Sequence, residues 1–391
     1  MTTLQRLAHE RNDANRRTYQ ICTRCIMDTS DPDIQFDENG ICNRCTTALN
    51  RRANRPSSTE LRAQLELLVE QIKREGKGHD YDCILGVSGG VDSTYAALVA
   101  KDMGLRPLAV HLDNGWNTEL AVANIENCLK ALNLDLYTCV LDWDEFRDLQ
   151  LAFLKSSTPD SEIPTDHAIF ALLMHTAAKF GVRYIINGLN VATEGVSSPA
   201  WSQGHTDWKY IRSVHARFGS VPLKSFPHAS VYDYAYFRYI KRQRHVSILN
   251  YIEYDKPSAL EIIKQRLKYK PYAGKHHESL YTRFYQSYIL PCKFGYDKRR
   301  WHLSDLILGG QITRDQALAE MQHDPEPPEQ VRLDKMFVAK KLGLSVEQFD
   351  EIMALPPRRY EDYPNYSNTW FVKAVRRIKR MVLREDPFFS T

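Results

Sequence analysis

Apolar and polar positions change their period several times along this chain. Leu61, Leu65, Leu68 and Ile72 recur at three- and four-residue spacing, which predicts a helix over residues 59–75. A short apolar run then enters a Ser-Gly-Gly turn at residues 88–90 and leaves it into a helix-compatible run over 93–100. Next come an apolar strand pattern at 107–112, a helix at 118–132, a strand at 134–141 and helix from about Trp143. Thr165-Asp166 is placed to cap a helix over 167–180, and residues 182–187 form another short apolar strand. Strands alternating with helices imply a doubly wound, parallel α/β sheet with helices on both faces. In such sheets ligands bind outside the carboxyl ends of the strands. Three polar stretches follow directly on strands and should meet there: residues 88–93, 111–115 and 187–190.

The flanks read differently. Cys22-x-x-Cys25 and Cys42-x-x-Cys45, sixteen residues apart, fall in the spacing window of a tetrahedral zinc site with four cysteine ligands. Asp37-Glu38-Asn39-Gly40 supplies a turn between the two knuckles. Four thiolates leave no open position, so this metal is expected to be structural. A disulfide framework is the rival reading, and a redox Cys-x-x-Cys would need a βαβ pattern around it, which neither pair has. Beyond about residue 221 aromatics and bases interleave, at 232–239 and 241–245, and helix-like segments dominate. The expected organisation is therefore an N-terminal zinc-ribbon module over 1–58, a sheet domain over 59–220 and a mainly helical C-terminal region over 221–391.

Length and composition add bounds. At 391 residues with 43% apolar positions the chain can bury two or three cores. A net charge of +4 is too small to argue for nucleic acid. No run of eighteen apolar residues is present, and residues 1–20 lack the apolar core of a signal peptide. A cytoplasmic protein with reduced cysteines is expected.

The chemistry concentrates at the glycine turn. Backbone N–H groups converge at a helix start, and glycines let the backbone approach a phosphate closely. The turn lacks the lysine of a Walker A loop; the hydroxyls of Ser88 and Ser93 and the carboxylate of Asp92 stand there instead. The plain alternative is an ordinary strand–helix turn with Asp92 as N-cap. Ser-Gly-Gly-Val-Asp-Ser resembles the loop of the ATP pyrophosphatases, which split ATP into AMP and pyrophosphate. Two polar blocks stand out downstream, residues 275–279 (Lys-His-His-Glu-Ser) and residues 293–302, rich in lysine and arginine. They suit phosphate or substrate anions, against the blander reading of a solvated face with ion pairs. A last amphipathic, basic helix is expected around Trp370, Ala374, Ile378 and Met381.

Taken together, the cysteine knuckles, the glycine turn, Pro164-Thr165-Asp166-His167 and the two downstream blocks resemble the N-acetyl sugar amidotransferase family of bacterial surface-glycan biosynthesis, over residues 21 to about 318. The resemblance implies the PP-loop ATP pyrophosphatase fold and an AMP-forming, ATP-dependent amidotransferase. The substrate would be an acetamido sugar of lipopolysaccharide O-antigen or of a pseudaminic or legionaminic acid precursor, converted to its acetamidino form. An amide resists ammonia because its oxygen leaves poorly. Attack of that oxygen on the α-phosphate of ATP gives an O-adenylyl imidate and pyrophosphate, and ammonia then displaces AMP.

Under this reading Val87, Ser88, Gly89, Gly90, Asp92 and Ser93 bind the nucleotide, with His111, Asp113 and Gly188 beside them. Asp92, with Glu194, would place Mg²⁺. Lys293, Arg299 and Arg300 would neutralise charge during catalysis, in which Ser88 and Ser93 would hold the pyrophosphate and Asp92 would also take part. Thr165, Asp166, Lys275 and His276 would hold the sugar. Position 2 is threonine and no cysteine sits in a glycine-rich elbow, so no glutaminase is expected within this sequence. Ammonia should come from a partner resembling the glutaminase of imidazole glycerol phosphate synthase, or from bulk ammonium. A tRNA-thiolating enzyme is the alternative; it needs cysteines at the loop, and only Cys292 is placed for that. A nucleotide-binding module without turnover is the third reading.

Overall fold

The computed structural model describes residues 18–191, 195–272, 278–367 and 369. The first helix, α1 (Asn43–Ala53), grows out of the second cysteine knuckle, and Cys42 caps it by accepting from Cys45 N–H at 3.3 Å. Helix α2 (Ser58–Glu75) starts with a capping box between Ser57 and Glu60 and buries Leu61, Leu65, Val69 and Ile72. Only residues 54–57 separate α1 from α2.

The sheet has five strands: β1 (Cys83–Gly86), β2 (Pro107–Asp113), β3 (Leu136–Val140), β4 (Tyr184–Asn187) and β5 (Arg244–Ser247). Their order is β3-β2-β1-β4-β5 and every pair is parallel. Between them run α3 (Val91–Asp102), α4 (Glu119–Leu132), α5 (Trp143–Ser156) and α6 (Ile163–Lys179). After β4 come α7 (Trp208–Phe218), α8 (Val231–Ala235) and a π-helical turn over Tyr236–Ile240. Helix α9 (Lys256–Leu267) returns to pack on α3.

Strand residues point alternately to the two faces. Ile84, Leu108, Val110 and Ile185 enter one core with α5, α6 and α7, whereas Cys83, Leu85, Ala109, Tyr184 and Ile186 enter another with α2, α3, α4 and α9. The doubly wound parallel sheet expected from the alternation is therefore present. Strand β5 was not expected. It is a four-residue edge strand with one buried side chain, Val246, so it carries no apolar alternation to read. It places part of the sheet beyond residue 220, inside the stretch read as mainly helical.

Helix α6 also departs from expectation. It begins at Ile163, with Pro164 in its first turn and no side-chain cap, so Thr165 and Asp166 lie within the helix instead of capping it. Proline fits there because a first-turn N–H has no intrahelical partner. The C-terminal region is helical: α10 (Leu280–Phe284), a π-helical stretch over Tyr285–Phe294, then α11 (Arg299–Leu308), α12 (Arg314–Glu320), α13 (Pro328–Leu342) and α14 (Val346–Ala354). The amphipathic stretch around Trp370 lies outside the described residues.

Ile84 is fully buried at the sheet centre and Leu67 is 68% exposed on α2. Urea titration should show Ile84→Ala less stable by about 2–5 kcal/mol. Leu67→Ala should change stability by less than about 0.5 kcal/mol.

Candidate functional site: a glycine loop and an adjoining polar cleft

From β1 the chain moves outward through β2 to β3, and it then returns to the other side of β1 for β4 and β5. The order reverses between β1 and β4, and a crevice opens there at the carboxyl ends of the strands. Residues 87–90 leave β1 into this crevice and α3 starts at Val91 with Gly90 as N-cap, without a side-chain cap. Asp92 lies inside the helix, so the N-cap alternative for it does not hold.

Gly89 has a φ of +80°, and a Cβ there would lie 2.7 Å from the Ala121 carbonyl oxygen of α4. A Cβ at Gly90 would collide with the Glu278 carboxylate. Across the crevice, a Cβ at Gly188 would come within 2.8 Å of Asp92 O and Ser93 N. Ser88 Oγ and Ser93 Oγ face each other at 3.0 Å, and Ser93 Oγ accepts from the Ser88 N–H at 3.3 Å. Val87, Ser88, Gly89, Gly90, Asp92, Ser93 and Gly188 are thus brought together. His111 supports them from behind: its Nδ1–H donates to Val87 O at 2.9 Å, and Nε2 accepts from Asn117 Nδ2 at 3.1 Å. The same amide donates to Asp113 at 3.2 Å.

A segment far along the chain completes the loop. The Tyr254 hydroxyl donates to Asp92 Oδ1, and Lys256 Nζ lies 3.6 Å from Asp92 Oδ2. The hydroxyls of Tyr269 and Tyr272 both donate to Gly89 O, each at 3.1 Å. Beside them the Thr118 N–H donates to Glu278 O at 2.9 Å, docking α10 next to the loop. Sequence reading missed Tyr254 and Lys256. Asp255 with Pro257 signals a helix start, but nothing local says that this start rests on residues some 160 positions earlier.

A second cleft lies at the start of α6. In a parallel sheet each crossover helix begins at the carboxyl edge, so this cleft shares the loop's side of the molecule. Asn114, just beyond β2, donates to Thr165 Oγ1 at 3.3 Å. His205 Nε2 stands 3.3 Å from Asp166 and 3.4 Å from Asp160, and 2.9 Å from Ser202 Oγ. The Thr282 hydroxyl of α10 donates to Glu162 at 2.5 Å. Asp166 keeps 43% of its side-chain surface open, so solvent reaches the cleft.

The charges here are strongly perturbed. Burial pushes Glu162 up to about 8, reinforced by the charges of Asp166 and Asp160. Burial also raises Asp166, with the Asp160 charge adding to it. At Asp160 burial is outweighed by Lys298, His205 and Ser202, which hold it below the usual carboxylate range. Burial disfavours the His205 cation, but its hydrogen bond to Asp160 and the charges of Asp166 and Asp160 outweigh this and raise it. Thr165 and Asp166 were expected at a site; Asp160, Glu162, His205 and Lys298 were not, because they come from three separate stretches.

The other expected residues are engaged elsewhere. Lys293 is buried and donates to Ile352 O at 2.6 Å. Arg299 pairs with Asp297 at 2.7 Å and donates to His323 O at 3.0 Å. Arg300 pairs with Asp28 at 2.9 Å and donates to Ile26 O at 2.7 Å. These contacts tie down helices and the first cysteine knuckle rather than the loop. Cys292, on which thiolation would rest, is buried in the π-helical stretch. Glu194, Lys275 and His276 lie outside the described residues.

The four knuckle cysteines are fully buried, and their sulfurs lie within 4.8 Å of one another. The Cys22–Cys45 and Cys25–Cys42 sulfur pairs stand 3.8 Å apart, which is not a disulfide. Bonds of about 2.3 Å to a tetrahedral zinc would separate sulfurs by roughly 3.8 Å. Backbone N–H groups of Cys25, Met27, Cys42 and Cys45 point at sulfurs at 3.3–3.4 Å, as thiolates require. The donor set fits zinc.

The reversed sheet, the glycine loop at its crevice and the cysteine module define a PP-loop α/β protein. Residues 278–379 match the family model of the WbpG-like C-terminal domain of lipopolysaccharide biosynthesis proteins. That stretch is thus similar to the C-terminal domain of a lipopolysaccharide biosynthesis family and follows a PP-loop sheet, in line with the resemblance to a family of surface-glycan biosynthesis. An uncharacterized protein of Methanocaldococcus jannaschii is 28% identical over 170 residues, 43% of this chain and 58% of that protein. A glutamine-hydrolyzing GMP synthase of Pyrobaculum aerophilum is 40% identical over 74 residues, 19% of this chain and 14% of the synthase. The chain thus spans little more than half the length of the first of these relatives, and far less of the second. Among solved structures, NMN synthetase from Francisella tularensis aligns at 15% identity over 74% of this chain and 98% of that one, with a TM-score of 0.36. No described helix is long and apolar enough to cross a membrane.

Glu162 sets a pH dependence. It keeps its proton up to about 8 in the folded chain and to about 4.5 otherwise, so the folded state binds the extra proton between these values. Its contribution to stability is therefore present at low pH and is lost as pH rises through this window. Melting curves taken from about pH 5 to about pH 8 should show a decline in the native protein that Glu162→Gln flattens.

Proposed function

We propose that the protein is an AMP-forming, ATP-dependent amidotransferase that converts the acetamido group of a surface-glycan sugar to an acetamidino group. The observation that carries this reading is the glycine loop at the sheet's crevice with a solvent-open polar cleft on the same edge, in a chain with a WbpG-like C-terminal domain. The triphosphate would lie along the N–H groups of residues 88–90, with Ser88 and Ser93 on the departing pyrophosphate. Lys256 takes the charge-neutralising role first expected of Lys293, Arg299 and Arg300, because it already stands beside Asp92. Asp92 would hold Mg²⁺ together with Glu194, and that ion would supply further neutralisation of the phosphates.

The acetamido sugar would enter the cleft, its hydroxyls meeting Thr165, Asp166 and their neighbours, with Lys275 and His276 contributing from the segment before Glu278. Carboxylates and an imidazole suit a polyhydroxylated acceptor because they accept several hydrogen bonds from hydroxyls. The amide oxygen attacks the α-phosphate, forming a P–O bond as the α–β bridge breaks and pyrophosphate leaves. Ammonia then adds to the imidate carbon, loses a proton to a base in the cleft, and AMP departs with the former amide oxygen. Water must be kept from the adenylylated intermediate, which the packing of α10 against the loop favours. Local similarity to a glutamine-hydrolyzing GMP synthase supports a nitrogen-transfer reaction, with ammonia delivered by a separate glutaminase subunit.

Mass spectrometry of the purified protein with ATP, Mg²⁺, ammonium and a panel of activated acetamido sugars tests the reading. One sugar should exchange oxygen for NH with stoichiometric AMP, and ATP left intact with every sugar would refute it. Asp92→Ala and Ser88→Ala should abolish AMP release without lowering the melting temperature appreciably. Lys256→Ala should raise the KM for ATP by about 10–100-fold, the effect of removing a hydrogen-bonded charge.

A further inference from the structure

Trp201 joins the cysteine module to the polar cleft. It is fully buried in one apolar cluster with Cys22, Cys25, Cys42, Cys45, Met27 and Val196. Its indole stacks on Tyr296 (5.1 Å, 13°) and on Trp301 (5.1 Å, 12°). Among the described residues the indole Nε1 has no hydrogen-bond partner, so packing places the ring. The next residue, Ser202, donates to Asp160 and meets His205 at 2.9 Å. Lys298, whose charge acts on Asp160, stands 5.4 Å above the Trp301 ring. The stretch before Trp201 is tied to the same module, since Ser198 Oγ donates to Asp31 at 2.8 Å and Asp31 pairs with Arg44 of α1.

We propose that the metal held by the four cysteines positions the acceptor cleft through Trp201, which aims Ser202 and His205. This rests on reading the cleft as the acceptor site. Four thiolates brought to 3.8 Å repel one another unless a cation holds them, so metal binding and folding of the knuckles are one process. Loosening the knuckles removes one wall of the cluster around Trp201, and an indole with no polar tether then has nothing to fix it. The glycine loop has its own supports in α4 and α9 and lies outside that cluster. Trp201 is therefore a positioning residue for the acceptor and not for the nucleotide.

Hydrogen–deuterium exchange of the full chain tests this, before and after chelation and again after zinc is returned. Residues 195–207 should exchange about tenfold faster without zinc and recover with it, while residues 84–93 stay protected. Trp201→Ala with zinc bound should reproduce the faster exchange at 202–207, and Trp201→Phe should restore protection. Faster exchange confined to residues 21–48 would overturn the proposal, as would equal loss across the chain including 84–93. These readouts need no turnover, so they stand apart from the fate of the proposed reaction. Once an acceptor sugar is known, Trp201→Ala should raise its KM about tenfold and leave the KM for ATP unchanged. The reverse split would overturn the positioning role.

Discussion

Two strand exits pass so close that neither tolerates a side chain. Gly188, just past β4, runs against the Asp92–Ser93 peptide of α3, and Gly89 runs against the first turn of α4. Within the loop the Ser88 N–H donates to Ser93 Oγ and the Gly90 N–H to Ser88 Oγ, and the two hydroxyls face each other at 3.0 Å. It is possible because the strand order reverses between β1 and β4, so the connections diverge to opposite faces and leave the crevice uncovered. Everything else in the site is arranged around that opening.

The two halves of the site carry different electrostatics. The loop contributes dipoles and one carboxylate, and its cation comes from Lys256 at the start of α9. Tyr254 holds Asp92 from the same turn, while Tyr269 and Tyr272, beyond the far end of α9, hold Gly89. The segment 254–272 thus grips the loop at two points. The cleft beside it crowds Asp160, Glu162 and Asp166 around one imidazole, and the crowding is resolved unequally. Asp160 keeps its charge with His205 and Lys298 beside it, whereas Glu162, facing the Thr282 hydroxyl, holds its proton. Carboxylates only a few residues apart are thereby set to different protonation states, which is how neighbouring groups come to serve as hydrogen-bond acceptor and proton carrier.

The basic residues near position 300 have another task. Arg300 and Arg314 donate to backbone carbonyls of the first knuckle, and Ser304 Oγ accepts from Ile26 N–H at 3.4 Å. The N-terminal module is therefore built into the C-terminal helices, across nearly 300 positions of chain. Guanidinium groups suit this work because their planar forks bond several carbonyls at once. Together with Trp201 and Trp301 they tie the cysteine module to the segment that carries Ser202 and His205.

The sequence alone determined what depends on local order. Alternating strand and helix periods gave the parallel sheet, Ser-Gly-Gly-Val-Asp-Ser gave the glycine loop between β1 and α3, and the Cys-x-x-Cys spacing gave the four-sulfur cluster, because each pattern is written in neighbouring stretches of chain. Thr165 and Asp166, read from the sequence as site residues, lie at the cleft, but they were misread as caps: Pro164 marks the earlier start of α6. Tertiary structure decided the rest. Strand β5 is short and mostly exposed, so its place in the sheet follows only from pairing with β4. Lysines and arginines look alike along a sequence, and only packing shows that Lys256 reaches the loop while Lys293, Arg299 and Arg300 are spent on backbone and carboxylate partners. The cleft of Asp160, Glu162, His205 and Lys298 is assembled from separate segments, and its charges are set by burial and mutual distance, quantities that exist only once the chain has folded.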